Sequence, residues 1–237
     1  MKINPLGDAA VVVTLEGAAE AGTVAVAQAL AAALEADPIA GFSECVPANA
    51  SVAVYYDPVR IAGAAGAPPF ERLRAWIEER AAAAGAGGNP QGRLLTVPVC
   101  YGGEFGPDLE AVGAAHGLGA EEVVALHHGA EYLVSAVGFT PGFPYLHGLP
   151  ERLHTPRRGT PRSRVPAGSV AIGGTQSGIY PFETPGGWHL IGRTPWRLFD
   201  PYARPPALLQ VGDRVRFQPV TLAAFGSWPG HPSQGAE

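Results

Sequence analysis

Residues 138–199 read GFTPGFPYLHGLPERLHTPRRGTPRSRVPAGSVAIGGTQSGIYPFETPGGWHLIGRTPWRLF, a Gly/Pro-rich segment that governs how the second half of the chain folds. It holds eleven glycines and nine prolines in 62 residues. Because proline fixes φ and glycine permits positive φ, this alternation predicts a rigid backbone of tight turns. Apolar side chains recur throughout, which argues against disorder. Short β segments between the turns, continuing to VGDRVRFQPV at residues 211–220, predict a small all-β barrel.

The Gly/Pro-rich segment is basic within an acidic protein. It carries seven arginines against Glu151 and Glu183, a local net charge of +5, whereas the whole chain has a net charge of −5. A rigid, aromatic and positively charged surface predicts a site for an anionic small molecule or an acidic partner. The shortness of the basic segment argues against nucleic-acid binding. No run of about 18 apolar residues occurs, so no membrane span is expected.

The first 90 residues predict an alternating α/β unit. Valine-rich residues 3–15 predict a strand, and the alanine-rich residues 18–36 predict a helix. Residues 51–56 (SVAVYY) predict a second strand, and a second helix is expected after Pro69. A third β-rich run follows at residues 94–100, after a linker-like stretch at residues 81–93.

The remaining sequence completes the predicted domain organisation. Two short helices are expected at residues 108–116 and 120–128, before the barrel strands. The chain is therefore divided into residues 1–90, an α/β domain, and residues 91–225, a β-barrel domain, with residues 226–237 as a loose tail. Cys45 and Cys100 lie in unrelated contexts, which excludes a disulfide framework and predicts a reducing, cytoplasmic compartment.

Four long motifs lie in the Gly/Pro-rich segment: GFTPGFPYL (138–146), PRRGTPRSRVPAGSVAIGG (156–174), QSGIYP (176–181) and PGGWHLIGRTP (185–195). Four further motifs lie outside it: GDAAVVV (7–13), CYGGEFGPDL (100–109), EEVVALHHGAEYLV (121–134) and VGDRVRF (211–217). Together, and in this order, they resemble the family of the B-type subunits of 5-oxoprolinase. That family also includes Kip-type inhibitors of sensor kinases and allophanate hydrolase subunit 1.

The resemblance implies an α+β fold in which an N-terminal ferredoxin-like α/β domain precedes a C-terminal cyclophilin-like β-barrel. It also implies a subunit of an ATP-dependent 5-oxoprolinase, which opens 5-oxo-L-proline to L-glutamate while ATP is hydrolysed. The chain would be inactive alone and would assemble with a homologous C-type subunit and an A-type subunit. ATP would act in the complex, because Lys2 is the only lysine and a P-loop is therefore excluded. Neither metal nor biotin is expected on this chain.

Two alternative functions remain open. The first is half of a biotin-dependent carboxyltransferase, or an allophanate hydrolase subunit 1. The second is an inhibitor that binds a sensor histidine kinase and needs only an exposed surface. The family motifs do not separate these three functions.

Clustered arginines are the main candidates for substrate binding. Arg157, Arg158, Arg162 and Arg164 lie within eight residues and alternate with prolines. A guanidinium binds a carboxylate through two parallel hydrogen bonds, and proline lowers the entropy lost on binding. Arg157, Arg158 and Arg162 are therefore predicted to bind a carboxylate substrate such as 5-oxoproline. A solvated basic loop, or ion pairs to an acidic partner, are equally compatible with the pattern.

His127 is the candidate catalytic residue. His127 and His128 end a predicted helix, where a histidine interacts favourably with the helix dipole. An imidazole can also serve as a general acid or base near neutral pH. Since the family motif matches His127 and not His128, His127 is the better candidate. No cysteine or carboxylate stands at metal-ligand spacing from the other histidines, so no metal site is predicted.

The remaining candidates line the same predicted cleft. Gln176 and Arg193 lie beside glycine turns and, together with the aromatic Tyr180, are predicted to bind substrate. Four aromatic residues are predicted to wall the pocket, or else to fill the barrel core: Phe139, Phe143, Tyr145 and Trp188. Ser169 lies in AGSVA, outside any GxSxG motif, and is interpreted as a structural residue.

Overall fold

The computed structural model describes residues 1–17, 21–62, 68–84 and 92–228. The chain divides into two compact units, residues 1–91 and residues 92–237. No helix in the described ranges is both long and apolar enough to span a bilayer.

The N-terminal unit is an antiparallel four-stranded sheet with helices. Its elements are β1 (Lys2–Pro5), β2 (Ala10–Thr14), α1 (Ala21–Ala36), β3 (Phe42–Ala48), β4 (Ser51–Tyr56), α2 (Pro58–Ala62) and α3 (Pro69–Ala84). The strand order is β1-β2-β4-β3. Alternate side chains of β2 and β4, such as Val13 and Val54, pack in one apolar cluster with Leu34 of α1 and Ile77 of α3. Every second side chain of these strands and one face of each helix thus pack in a single core.

The strand predicted at residues 3–15 is corrected to a hairpin of β1 and β2. Gly7, with φ of +69°, lies in the turn that interrupts it. Strand β3 had no counterpart among the predicted elements. It contains Pro47 and lies at the edge of the sheet, where a missing backbone donor is tolerated.

The C-terminal unit contains the barrel. Its elements in chain order are β5 (Leu94–Tyr101), α4 (Leu109–Ala115), α5 (Ala120–Gly129), β6 (Glu131–Val137), β7 (Pro144–His147), a 3-10 turn (Glu151–Leu153), β8 (Arg162–Val165), β9 (Ser169–Gly173), β10 (Gln176–Ile179), β11 (Thr184–Gly186), β12 (His189–Arg193), β13 (Arg214–Pro219) and α6 (Leu222–Ser227). The predicted helices at 108–116 and 120–128 are thus confirmed within one residue at each end.

Seven strands close the barrel in the order β10-β7-β6-β13-β5-β12-β9. The β5–β13 pair is parallel, with Leu94 opposite Arg214, whereas the other barrel pairs are antiparallel. Strands β8 and β11 form a separate two-stranded ribbon. Buried aliphatic side chains such as Val97, Val170 and Ile191 form the barrel core. The Gly/Pro-rich segment supplies β7 to β12, so its tight turns place both the ribbon and the barrel wall.

A mixed α/β content with a closed β-barrel is therefore established. The ferredoxin-like and cyclophilin-like assignments, and the domain limits at residues 90 and 225, stay predictions. Of the predicted linker, residues 85–91 lie outside the described residues, as do residues 229–237 of the predicted tail. The first residues of that tail, Gly226 and Ser227, end helix α6.

Candidate functional site

A cavity of about 290 Å³, here called the aromatic pocket, opens in the C-terminal unit. Its lining residues are Phe139, Phe143, Tyr145, Arg157, Arg158, Pro161, Tyr180, Pro185, Gly186, Gly187 and Trp188. All four aromatic residues predicted to wall a pocket are among them, together with Tyr180 and two of the predicted arginines. The volume lies at the lower end of the range for small-molecule sites, which suits a compact ligand.

Edge-to-face aromatic contacts build the wall of the pocket. The Phe143 ring lies 5.1 Å from Tyr180 and 5.6 Å from Trp188, at interplanar angles of 77° and 86°. Tyr145 completes the group at 5.0 Å from Phe143. Such geometry is favourable because the positive edge of one ring meets the negative face of another. The four rings therefore hold one another in place.

Gly178 allows this close packing. A Cβ atom at this position would lie 2.8 Å from Cζ of Phe143 and 2.9 Å from Cζ3 of Trp188. The two rings can approach the β10 backbone only because the side chain is absent.

Phe139 forms the exposed rim of the pocket. It adopts a φ of +68°, which is uncommon for a residue other than glycine, and it remains 64% exposed. Its ring contacts Phe143 at 5.7 Å. A left-handed backbone that displays an aromatic side chain to solvent is a costly local arrangement of the kind that clusters at binding sites.

Asp108 organises the arginines beside the pocket. The carboxylate is only 5% exposed and accepts two hydrogen bonds from Arg162, each 2.8 Å long, and one of 3.0 Å from Arg158. The backbone N–H of Leu190 donates a further bond of 2.7 Å. Burial acts to raise the pKa of Asp108, but the hydrogen bond from Arg162, the Leu190 N–H and the two arginine charges together lower it. Asp108 is therefore a fully ionised anchor.

Arg157 and Tyr180 supply the other polar groups of the pocket. The guanidinium of Arg157 lies 5.8 Å from the centre of the Trp188 ring, within the range of a cation–π contact. Burial raises the pKa of Tyr180, while a hydrogen bond from the Trp188 backbone and the charge of Arg157 oppose the rise. Tyr180 lines the pocket, and its hydroxyl is one of the hydrogen-bond donors of the pocket wall.

Three predicted substrate-binding residues do not line the aromatic pocket. Arg162 contacts Asp108 through both terminal nitrogens. Gln176 begins β10 opposite Gly173. Arg193 ends β12, and its guanidinium lies 5.2 Å from the centre of the Phe105 ring.

His127 lies fully buried in the barrel core and not in the pocket. Its ring contacts Tyr101 and Ser177 by hydrogen bonds and stacks on Phe217 at 4.5 Å. Burial, with a smaller effect of His128, lowers the pKa of His127 to about 3. The helix turn that carries His127 points its side chain inward, and the catalytic role predicted for it stays a prediction.

Sequence reasoning missed Asp108. It lies in the CYGGEFGPDL motif, but nothing in that motif indicates that the arginines 50 and 54 residues later will contact it. The motif holds two acidic residues, Glu104 and Asp108, and nothing in the sequence distinguishes the one that is buried. Within the described ranges, no three side chains of the histidine, cysteine, aspartate or glutamate type are placed to share a metal ion.

A family model and similar curated proteins point to the same protein family. The pattern of the carboxyltransferase domain, subdomain C and D, matches residues 1–209. The chain is 43% identical over 219 residues to the 5-oxoprolinase B-type subunit of Bacillus subtilis (strain 168), covering 91% of each protein. It is 55% identical over 150 residues to the 5-oxoprolinase B-type subunit of Escherichia coli O157:H7, covering 63% of this chain and 66% of that protein.

A solved structure shares the fold. The crystal structure of TTHA0988 superposes with a TM-score of 0.76 at 37% sequence identity, over 94% of this chain. The match covers 41% of TTHA0988, so the present chain spans about two fifths of that longer protein.

Proposed function

This chain belongs to the family of the carboxyltransferase domain, subdomain C and D, and we propose that it is the B-type subunit of an ATP-dependent 5-oxoprolinase. The observation that carries the proposal is the 43% identity to a 5-oxoprolinase B-type subunit along 91% of both chains. A match of that length leaves little of either protein unaccounted for. The active enzyme would be a complex with a C-type and an A-type subunit.

The proposed reaction explains why ATP is required. The ring of 5-oxo-L-proline is closed by an unactivated amide, which resists attack by water. Transfer of the γ-phosphoryl group to the amide carbonyl oxygen would create a leaving group on that carbon. Addition of one water and cleavage of the ring C–N bond would then give γ-glutamyl phosphate. A second water would hydrolyse this acyl phosphate to L-glutamate and phosphate, and the ADP comes from the first step. The nucleotide is assigned to the complex as a whole, and a P-loop on this chain is ruled out because Lys2 is its single lysine.

In this scheme the aromatic pocket binds 5-oxo-L-proline. Arg157 and Arg158 are the cationic lining residues and suit the substrate carboxylate. The methylene groups of the ring would pack against Phe143 and Tyr145, which exclude water from one face. The hydroxyl of Tyr180 would donate to an oxygen of the substrate. The chain thus binds and orients the substrate, and ATP acts at the level of the complex.

The test is reconstitution with the A-type and C-type subunits from the same genome. ADP and L-glutamate release should depend on 5-oxo-L-proline, should require this chain, and should be absent for the chain alone. Arg158→Ala should abolish this release without changing the circular dichroism spectrum. The matched control is Arg164→Ala, because Arg164 pairs with Glu183 at the surface and should be dispensable. Equal rates of ADP release with and without 5-oxo-L-proline would contradict the proposal.

A second function, half of a biotin-dependent carboxyltransferase, is favoured by the description of the family itself. Biotin would be carried on a separate protein, since Lys2 is the only lysine of this chain. This alternative predicts that avidin inhibits the reconstituted complex and that bicarbonate is consumed. The 5-oxoprolinase predicts no effect of avidin.

A further inference from the structure

We infer that Arg158 is the carboxylate receptor of the aromatic pocket and that Asp108 is the residue that positions it. The ligand class is a compact monocarboxylate with an apolar body. The class follows from the pocket, whereas its identification with 5-oxo-L-proline rests on the proposed function.

Arg158 has an unused side to its guanidinium. One of its terminal nitrogens, Nη1, donates a hydrogen bond to Asp108. Its Nε is buried and has no hydrogen-bond partner, and Nη2 makes none of the hydrogen bonds of the described residues. The Arg158 side chain is 32% exposed and lines the pocket, so a carboxylate can accept hydrogen bonds from Nη2 while Nη1 stays on Asp108.

The backbone and Asp108 together fix the orientation of Arg158. The backbone N–H of Arg158 donates to the carbonyl of Gly187 at 2.8 Å, which ties the loop to the pocket wall. Asp108 fixes the guanidinium at the other end, and Leu190 of β12 and Arg162 fix Asp108 in turn. The receptor is therefore held before the ligand arrives, and little side-chain entropy remains to be lost on binding.

Arg162 has a different task. Both of its terminal nitrogens bind Asp108, and it does not line the pocket. The positive charge of Arg162 balances the negative charge of Asp108. The three side chains together therefore keep one net positive charge, that of Arg158, for the ligand. Arg157 adds a second cation over Trp188 at the pocket mouth. The small volume and the ring-lined wall limit the rest of the ligand to a compact apolar body.

The first experiment compares Arg158→Lys with Arg164→Lys in the full-length chain by isothermal titration calorimetry. The probes are 5-oxo-L-proline, cyclopentanecarboxylate and the neutral carboxamide of 5-oxo-L-proline. Lysine keeps the charge but lacks the planar fork with which one guanidinium can bind Asp108 and the ligand together, so Arg158→Lys should weaken both carboxylates at least about tenfold. Binding of the carboxamide should stay unchanged, and Arg164→Lys should match the wild type. Equal carboxylate affinity in Arg158→Lys and the wild type overturns the inference.

Asp108→Asn tests the positioning role, because the two explanations predict opposite changes in carboxylate affinity. Removing a negative charge beside the pocket would strengthen anion binding if only the net charge mattered. If Asp108 positions Arg158, the same substitution weakens both carboxylates several-fold and leaves the carboxamide unchanged. Tighter carboxylate binding therefore overturns the positioning role. The Arg158→Lys comparison does not depend on whether Asp108→Asn folds.

Failure of this inference differs from failure of the proposed function. Cyclopentanecarboxylate that binds through Arg158, in a complex that does not hydrolyse 5-oxo-L-proline, supports the receptor and contradicts the 5-oxoprolinase. An active complex whose KM for 5-oxo-L-proline is the same in Arg158→Lys supports the enzyme and overturns the receptor. A wild-type chain that binds neither carboxylate, alone or in the complex, also overturns it.

Discussion

The hydroxyl of Tyr101 lies 2.8 Å from Nδ1 of His127, and this contact helps to determine which ring nitrogen of the buried histidine carries the proton. On the other side of the ring, Nε2 lies 2.9 Å from Oγ of Ser177, whose own proton is donated to the carbonyl of Ala171. Nε2 must therefore carry a proton, and Nδ1 accepts the proton of Tyr101. His127 is a neutral imidazole with both nitrogens satisfied.

His127→Ala should lower the free energy of unfolding by about 2–4 kcal/mol, because it leaves a cavity beside Phe217 and removes two buried hydrogen bonds. Urea denaturation followed by circular dichroism measures the change. His128→Ala, on the same helix but only half-buried, should stay within about 0.5 kcal/mol. If His127→Ala were fully stable and the complex inactive, catalysis by His127 would be supported instead.

The pH dependence of stability should reveal the buried imidazole. The folded-state pKa of His127 is about 3, below the ordinary value of 6.5, so the unfolded chain binds more protons between these limits. Stability therefore falls as the pH falls through this window, by about 2 kcal/mol between pH 7 and pH 5. The pKa of Asp108 is lowered from 3.8, so the loss of its contribution begins only at more acidic pH.

His127→Gln provides the comparison for this pH effect. A glutamine has no proton to gain, so the decrease in stability between pH 7 and pH 5 should shrink in the variant. Urea unfolding midpoints at pH 7 and pH 5 give the slope of stability against pH for the wild type and for the variant. Identical slopes for the wild type and the variant would mean that His127 titrates normally in the folded state.

The barrel and its aromatic wall could be predicted from sequence, because both depend on local patterns. Alternating β residues and Gly/Pro turns report backbone conformation directly, whereas the hairpin of β1 and β2 was missed because one valine-rich run concealed the turn at Gly7. Residue-level geometry was less accessible. Arg158 and Arg162 look alike in sequence, and only the approach of Asp108 from before α4 separates them. Similarly, a helix end does not reveal whether His127 or His128 faces the core.

Each compact unit contains one buried free thiol, which can report its unfolding separately. Burial and the nearby Glu35 raise the pKa of Cys45 to about 12, and burial and Glu104 raise the pKa of Cys100. Neither thiol should react with an aromatic disulfide reagent at pH 8 within minutes, because the thiolate is both rare and shielded. In urea, single-cysteine variants Cys45→Ser and Cys100→Ser should label as the unit holding the remaining thiol unfolds. Rapid labelling of Cys45 in the native chain would contradict its burial.

Gly186 and Gly187 form a matched pair for testing the pocket wall. A Cβ at Gly186 would lie 2.8 Å from Cε1 of Tyr180, whose buried ring is held against Phe143. A Cβ at Gly187 would meet nothing nearer than Pro161 at 3.6 Å, an ordinary contact.

Gly186→Ala should therefore lower the free energy of unfolding by about 1–3 kcal/mol, the usual effect of overpacking a tight site, and Gly187→Ala should lower it by less than about 0.5 kcal/mol. Because Tyr180 and Gly186 both line the pocket, displacement of the Tyr180 ring by Gly186→Ala should also weaken the binding of 5-oxo-L-proline. Thermal unfolding and calorimetric titration of the two variants measure both effects. Equal stability of the two alanine variants would show that Tyr180 is free to move, and the aromatic wall would then be less rigid than its edge-to-face contacts require.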